Sequence, residues 1–262
     1  MTAAPDAEGR WGAVDPAELA RVVVVSPHLD DAVLGAAHLL ASYPGSTVVT
    51  VHAGPPPAYP DEPTAWDASG GFAAGDDVVA LRRQEDAAAL DQLDARPVWM
   101  EFCDYQYLPP EGHSTPEAVA PALAEVLATL SPTAVFLPMG IANPDHVCTH
   151  DAGLRARLAL RADGVAAPSW FCYEDHGYKH IPGLLAWRLT TLFRAALWPT
   201  PAIVPTRVDM ARKRAALERY RSQMAPLRRE HGLDEQLDAP VPEQYWRLAP
   251  PPPGWEALID LV

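Results

Sequence analysis

Four consecutive valines, Val22 to Val25, stand between Arg21 and Ser26. A strand with one face in water alternates apolar and polar side chains; an unbroken apolar run needs cover on both faces, which is the habit of parallel sheets flanked by helices. The segments that follow keep to this plan. Asp31 to Ala41, rich in Ala and Leu, reads as a helix, and Thr47 to His52 as a second strand. Asp76 caps a helix expected to reach Leu93, and Thr115 with Pro116 opens another that ends at Leu130. Pro97 to Phe102, Ala134 to Leu137, Trp170 to Tyr173 and Ala202 to Val208 read as strands, and Asp145 to Leu160, Leu184 to Leu197 and Met210 to Met224 as helices. This alternation predicts an α/β fold, a three-layer sandwich around a mainly parallel sheet. With no repeat and no linker in view, residues 1–262 are expected to form a single domain. Residues 1–15 are expected as a loose arm and the Pro-rich residues 240–262 as an irregular strap. Residues 53–75, a cluster of Pro, Gly and Ala, are too long for an ordinary connection and point to a functional or mobile loop.

Composition narrows the partners. Lys and Arg number 20 against 34 Asp and Glu, a formal charge of -14. That balance opposes nucleic acid and anionic membrane surfaces alike. No run of about 18 apolar residues is present, so no stable membrane insertion is expected. Cys103, Cys148 and Cys172 are an odd, scattered set that suits a reducing compartment. The first residues lack the basic end and apolar run of a signal peptide, and a cytoplasmic location is the expectation.

The chemistry gathers at two places. Ser26-Pro27-His28-Leu29-Asp30-Asp31 falls where the first strand gives way to the first helix, and Asn143-Pro144-Asp145-His146-Val147-Cys148-Thr149-His150 follows the fourth strand. Both lie at the carboxyl edge, where open α/β sheets bind ligands. His28, Asp31 and His146 would supply two nitrogens and one carboxylate, a common zinc set that leaves a position for water. Asp30 is then the natural proton acceptor as that water attacks a carbonyl. The plainer alternative is that His28 and Asp31 cap the helix while His146 packs.

SPHLDDAVLG resembles the PHxDDxxLG signature of the PIG-L/LmbE family of zinc-dependent N-deacetylases, and NPDHVCTH is similar to the family's second motif, HPDH. Arg82 and Glu85 in LRRQE, Asp104 in FCDY, and KRAALERYRSQ ending at Gln223 look like further family features. The likeness spans roughly residues 21–224. It implies a Rossmann-like fold, one Zn2+ per chain on His28, Asp31 and His146, and Asp30 as general base. It also implies substrate contacts from Arg82, Asp104 and Gln223, and removal of an N-acetyl group from an N-acetylglucosamine-type amino sugar or its conjugate.

Three positions depart from the family pattern: Asn143 stands for His, Ala32 for Glu and Tyr220 for His. An amide cannot carry a proton but can donate a hydrogen bond, so Asn143 is expected to serve the oxyanion while Asp30 returns its proton to the leaving amine. Two other readings stay open: a zinc amidase acting on a larger thiol conjugate or antibiotic precursor, and a metal- or sugar-binding module without turnover. His150 is expected on the helix surface, with a spare proton donor or a fourth metal ligand as its alternatives, Cys148 as a buried thiol, and His38 as a packed or solvated side chain. Tyr173 to His176 lie on the carboxyl edge, in reach of substrate or solvated. Met210, Leu217, Tyr220 and Met224 form a core stripe. The apolar segment 184–198 reads as a core helix, with a cover over an apolar acceptor or a homo-oligomer contact as its alternatives.

Overall fold

A computed structural model describes residues 12–162, 167–238 and 242–249. The valine run forms β1 (Val22–Ser26), and all five of its residues are buried. Val22 and Val24 face one apolar cluster while Val23 and Val25 face another. Burial on both faces is therefore met by alternate side chains, as the unbroken run requires.

The chain continues through α1 (Asp31–Ser42), β2 (Thr47–Thr50), a five-residue α2 (Ala65–Ser69), α3 (Val78–Asp91) and β3 (Arg96–Trp99). The second half holds α4 (Pro116–Leu130), β4 (Ala134–Pro138), α5 (Pro144–Ala162), β5 (Ser169–Tyr173), α6 (Leu184–Arg194) and β6 (Trp198–Ala202). It ends with α7 (Met210–Leu217), α8 (Arg221–His231), α9 (Leu233–Asp238) and β7 (Tyr245–Ala249). The seven strands form one sheet in the order β3-β2-β1-β4-β5-β7-β6. Pairing is parallel from β3 to β5, and β7 runs antiparallel to both β5 and β6. Residues of α1, α3, α7 and α8 join one apolar cluster and residues of α4, α5 and α6 the other, which completes the three layers. Strand order reverses between β1 and β4, so a crevice opens at their carboxyl ends.

Several boundaries differ from expectation for local reasons. The helix cap before α3 is Asp77, whose Oδ1 accepts from Ala80 N at 3.2 Å; Asp76 accepts from Ala73 N. The sixth strand is Trp198–Ala202 rather than residues 202–208, and its prolines 199 and 201 are tolerated because it pairs on one side only. The stretch 210–224 is two helices, because Glu85 accepts from both N and Oγ of Ser222 and starts α8 afresh.

The expected irregular strap contains β7, seated between β5 and β6; residues 239–241 and 250–262 lie outside the described residues. Of the expected loose arm, residues 12–15 are tied down. Val14 is buried and its N–H donates to Ile203 O, while Ala13 bridges Ile203. Residues 1–11 lie outside the described residues. Segment 184–198 is neither all core nor all surface, since α6 buries Arg188 and Leu192 and exposes Trp187 and Phe193.

Candidate functional site

The turn after β1 is built by Ser26, whose Oγ donates to His28 O at 2.6 Å and accepts from Ala32 N at 3.0 Å. His28 N donates to Asp31 Oδ2 at 3.0 Å, which brings that carboxylate beside the imidazole. Asp30 is the N-cap residue of α1, yet its side chain makes no cap hydrogen bond. The carboxylate is thus buried at 6% exposure without being spent on the helix. Burial first, and then the charge of Asp31, push its pKa up to about 7.

On the other side of the crevice, Asn143 Oδ1 accepts from Asp145 N at 2.8 Å and opens α5, with Pro144 as its first residue. The first turn of α5 then presents His146 to His28, ring centroids 5.3 Å apart. Asp31 Oδ2 lies 3.1 Å from His28 Nδ1 and 3.2 Å from His146 Nε2. The outer nitrogens are held as well: His28 Nε2 is 3.1 Å from Asp145 Oδ2, and His146 Nδ1 is 2.5 Å from Asp175 Oδ1. Asp175 is 1% exposed and its other oxygen accepts from Gly140 N. Gly140 takes φ +77°, and a Cβ there would come within 2.7 Å of His150 Cβ, so the turn needs glycine.

Among the described residues, donor atoms of His28, Asp31 and His146 all lie within 4.8 Å of one another, and so do those of His28, Asp104 and Asp145. The first group fits a metal better. Both of its imidazoles carry a carboxylate on the nitrogen turned away from the shared space, the arrangement that orients metal-binding histidines. Burial works against charge on these rings, but Asp104, Asp145 and Asp31 raise the pKa of His28 well above its ordinary value, and Asp31 with Asp175 lifts His146 to about 9. The same negative field that draws protons to these nitrogens favours a cation between them.

The expected substrate residues have specific partners. Asp104 accepts from Gln106 N and Nε2 and starts the turn over residues 105–107. Arg82, 5% exposed, pairs with Asp67 of α2 at 2.8 Å. Gln223 Oε1 accepts from Trp66 Nε1 at 2.6 Å, so its carbonyl holds α2 against α8. Asn143 Nδ2 donates to the Tyr178 hydroxyl at 3.4 Å, and the Tyr178 ring stands edge-on to His146 with centroids 5.2 Å apart. His150, expected at the surface, is fully buried, because α5 packs its first turns against the end of β4; its Nδ1 is 2.7 Å from Pro138 O.

Tyr178, Asp67 and the buried His52, whose Nδ1 is 3.6 Å from Asp145 Oδ1, were not singled out by the sequence. Tyr178 had one available signal, its place in the loop that leaves the carboxyl end of β5.

Fold and site together define a doubly wound α/β protein with a His/Asp cluster of metal-ligating type at its switch point. The chain belongs to the PIG-L family, whose model, GlcNAc-PI de-N-acetylase, matches residues 23–157. The structure of the zinc-inhibited form of teicoplanin deacetylase Orf2 is similar at 26% identity and TM-score 0.70, over 89% of this chain and all of that one. A40926 pseudoaglycone deacetylase Dbv21 is 27% identical with TM-score 0.66, over 88% of this chain and 98% of that one. N,N'-diacetylchitobiose deacetylase from Pyrococcus horikoshii shares the fold at 18% identity and TM-score 0.53, over 88% of this chain and 84% of that one. No curated protein sequence matches the chain. Among the described residues no helix is long and apolar enough to cross a membrane.

Proposed function

We propose that the protein is a zinc-dependent hydrolase that removes the acetyl group from an N-acetylated amino sugar or a conjugate of one. The observation that carries this reading is the convergence of His28 Nδ1, Asp31 Oδ2 and His146 Nε2, with the uncommitted carboxylate of Asp30 beside them. A zinc ion held by His28, Asp31 and His146 would supply a water of lowered pKa and would polarise the amide carbonyl.

Asp30 accepts the proton of the attacking water and later hands it to the leaving nitrogen. A carboxyl whose pKa stands at about 7 suits both tasks near neutral pH. Asp145 and Asp175 hold the two imidazoles in their tautomers. The hydroxyl of Tyr178, with burial pushing its pKa up to about 12, stays protonated and donates to the oxygen that gains charge in the tetrahedral intermediate. Asn143 positions that hydroxyl by donating to its oxygen.

A second reading enlarges the substrate to an amide on a natural-product conjugate. It is favoured by relatives above 25% identity whose names carry teicoplanin and A40926 pseudoaglycone. Acetate release from N-acetylglucosamine and from an N-acetylated glycoconjugate separates the two. In either case Asp30→Asn is expected to lower the rate about 100-fold to 10,000-fold with metal retained. Near-parental turnover in Asp30→Asn would remove the general base from this account.

A further inference from the structure

His231 ends α8 and stands half-buried between two aromatic side chains from distant parts of the chain. Its imidazole lies edge-on to the Tyr178 ring, with centroids 5.4 Å apart and planes at 83°. The Trp66 ring of α2 is 6.1 Å away on a tilted approach. Tyr178 in turn meets His146 at 5.2 Å and 90°, so its ring makes edge contacts with two imidazoles. Right-angle contacts of this kind are a favoured geometry of aromatic pairs, and they fix the orientation of a ring as well as its place. The residue before Tyr178 makes room for the contact, since a Cβ on Gly177 would come within 2.7 Å of His231 Nδ1. The helix that carries His231 is anchored at its other end, where Glu85 accepts from Ser222 N and Oγ and Gln223 takes the Trp66 Nε1–H at 2.6 Å.

We infer that His231 is a positioning residue for Tyr178: the flat face of its ring, and not a proton on it, keeps the tyrosine against His146 and its hydroxyl beside Asn143. The inference rests on the oxyanion role given to Tyr178 above. The hydrogen bond from Asn143 Nδ2 is long, at 3.4 Å, and it restrains only the oxygen at the tip of the side chain. The ring plane is left free to turn about that point. Contacts on the ring itself supply the missing restraint, and of its two imidazole neighbours only His231 lies outside the His28, Asp31 and His146 set. An oxyanion donor lowers the barrier only when it already stands where the charge develops, so a residue that holds the ring acts on the rate through Tyr178.

Two substitutions separate the ring from its nitrogens: His231→Leu fills the space without a flat ring, and His231→Phe keeps a ring without a nitrogen. In the metal-loaded protein, with acetate release from N-acetylglucosamine as the assay, His231→Leu is expected to lower kcat about tenfold to 100-fold, the scale of a small misplacement of a catalytic group, with KM little changed. His231→Phe should recover most of that loss. Metal content and melting temperature should stay parental in both. NMR of protein labelled with 13C-tyrosine reads the contact without turnover. The Tyr178 ring signals, assigned by their loss in Tyr178→Phe, should be displaced by the neighbouring rings in the parent and in His231→Phe, and should move toward ordinary tyrosine positions in His231→Leu. A folded His231→Leu with parental kcat overturns the inference, as do unmoved Tyr178 signals in it or a rise in KM alone. A His231→Phe as slow as His231→Leu overturns it too, because a ring nitrogen would then be what matters. If His231→Leu does not fold, Gly177→Ala, which crowds the imidazole and leaves it in the chain, decides by the same criteria. Moved signals in a protein that releases no acetate contradict the hydrolase reading alone, and a slow Tyr178→Phe beside a fully active His231→Leu contradicts the positioning role alone.

Discussion

The side-chain amide of Asn143 is divided between two tasks: Oδ1 accepts the N–H of Asp145 at 2.8 Å, and Nδ2 donates to the hydroxyl of Tyr178 at 3.4 Å. With both ends engaged, Asn143 ties the start of α5 to the loop after β5. The Tyr178 hydroxyl keeps its own hydrogen to give, as does the second N–H of Asn143 Nδ2.

Tyr178→Phe is therefore expected to lower the catalytic rate by about 100-fold to 1,000-fold, the usual cost of one oxyanion donor, with metal content unchanged. Asn143→Ala should cost less in rate and about 1 kcal/mol in stability, since it removes a helix cap. Steady-state kinetics and thermal melts of the two variants check this. A fully active Tyr178→Phe with a crippled Asn143→Ala would mean that the amide itself meets the substrate.

Asp175 is placed to act on the metal through His146. Replacing it by Asn keeps the shape but removes the charge that fixes the ring and raises its basicity, so metal affinity should fall about 10-fold to 100-fold. Competition with a chromophoric chelator measures the loss. Parental affinity in Asp175→Asn would make the Asp175 pair a packing feature only.

How far the sequence carried this picture depends on the range of the forces involved. The valine run, the Ser26-to-Asp31 turn and the Asn143-to-His146 helix start are local patterns, and each falls where it was expected. β7 escaped because its partners lie 43 to 51 residues earlier in the chain in β6 and 72 to 76 residues earlier in β5, and a Pro-rich neighbourhood hid it. Met210 to Met224 carries a continuous apolar stripe, yet Glu85 from α3 divides it by capping Ser222. Asp67 and Tyr178 belong to no local pattern, and Asp175, placed on the carboxyl edge by the sequence, meets His146 only through tertiary packing, as Asp67 meets Arg82.

Asp86 provides a test of the buried polar interior away from the metal cluster. It accepts from Trp99 Nε1 at 2.8 Å and from the Tyr220 hydroxyl at 2.7 Å, and burial pushes its pKa from 3.8 up to about 7. Between these values the folded state holds a proton that the unfolded chain has lost, so the parent loses stability as pH rises from about 4 to about 7, and no further above that. Asp86→Asn lacks this titration. Its stability relative to the parent should rise across that window, by no more than about 4 kcal/mol at roughly 1.4 kcal/mol per pKa unit. Denaturant unfolding of both proteins at pH 5 and pH 8 reads the difference, and a constant gap would contradict the assignment.

The α2 segment is fastened by Trp66 to Gln223, by Thr64 Oγ1 to Gln106 and by Asp67 to Arg82. Gln223→Ala should speed proteolysis within residues 62–76 while barely moving the melting temperature, because a surface segment opens without global unfolding. Unchanged cleavage there would show that the remaining ties suffice.

The most direct test of the central claim is the zinc content of the dialysed protein, measured for the parent beside His28→Ala and His146→Ala. The account expects about one zinc per chain in the parent and little in either variant. Full zinc in both variants would contradict it.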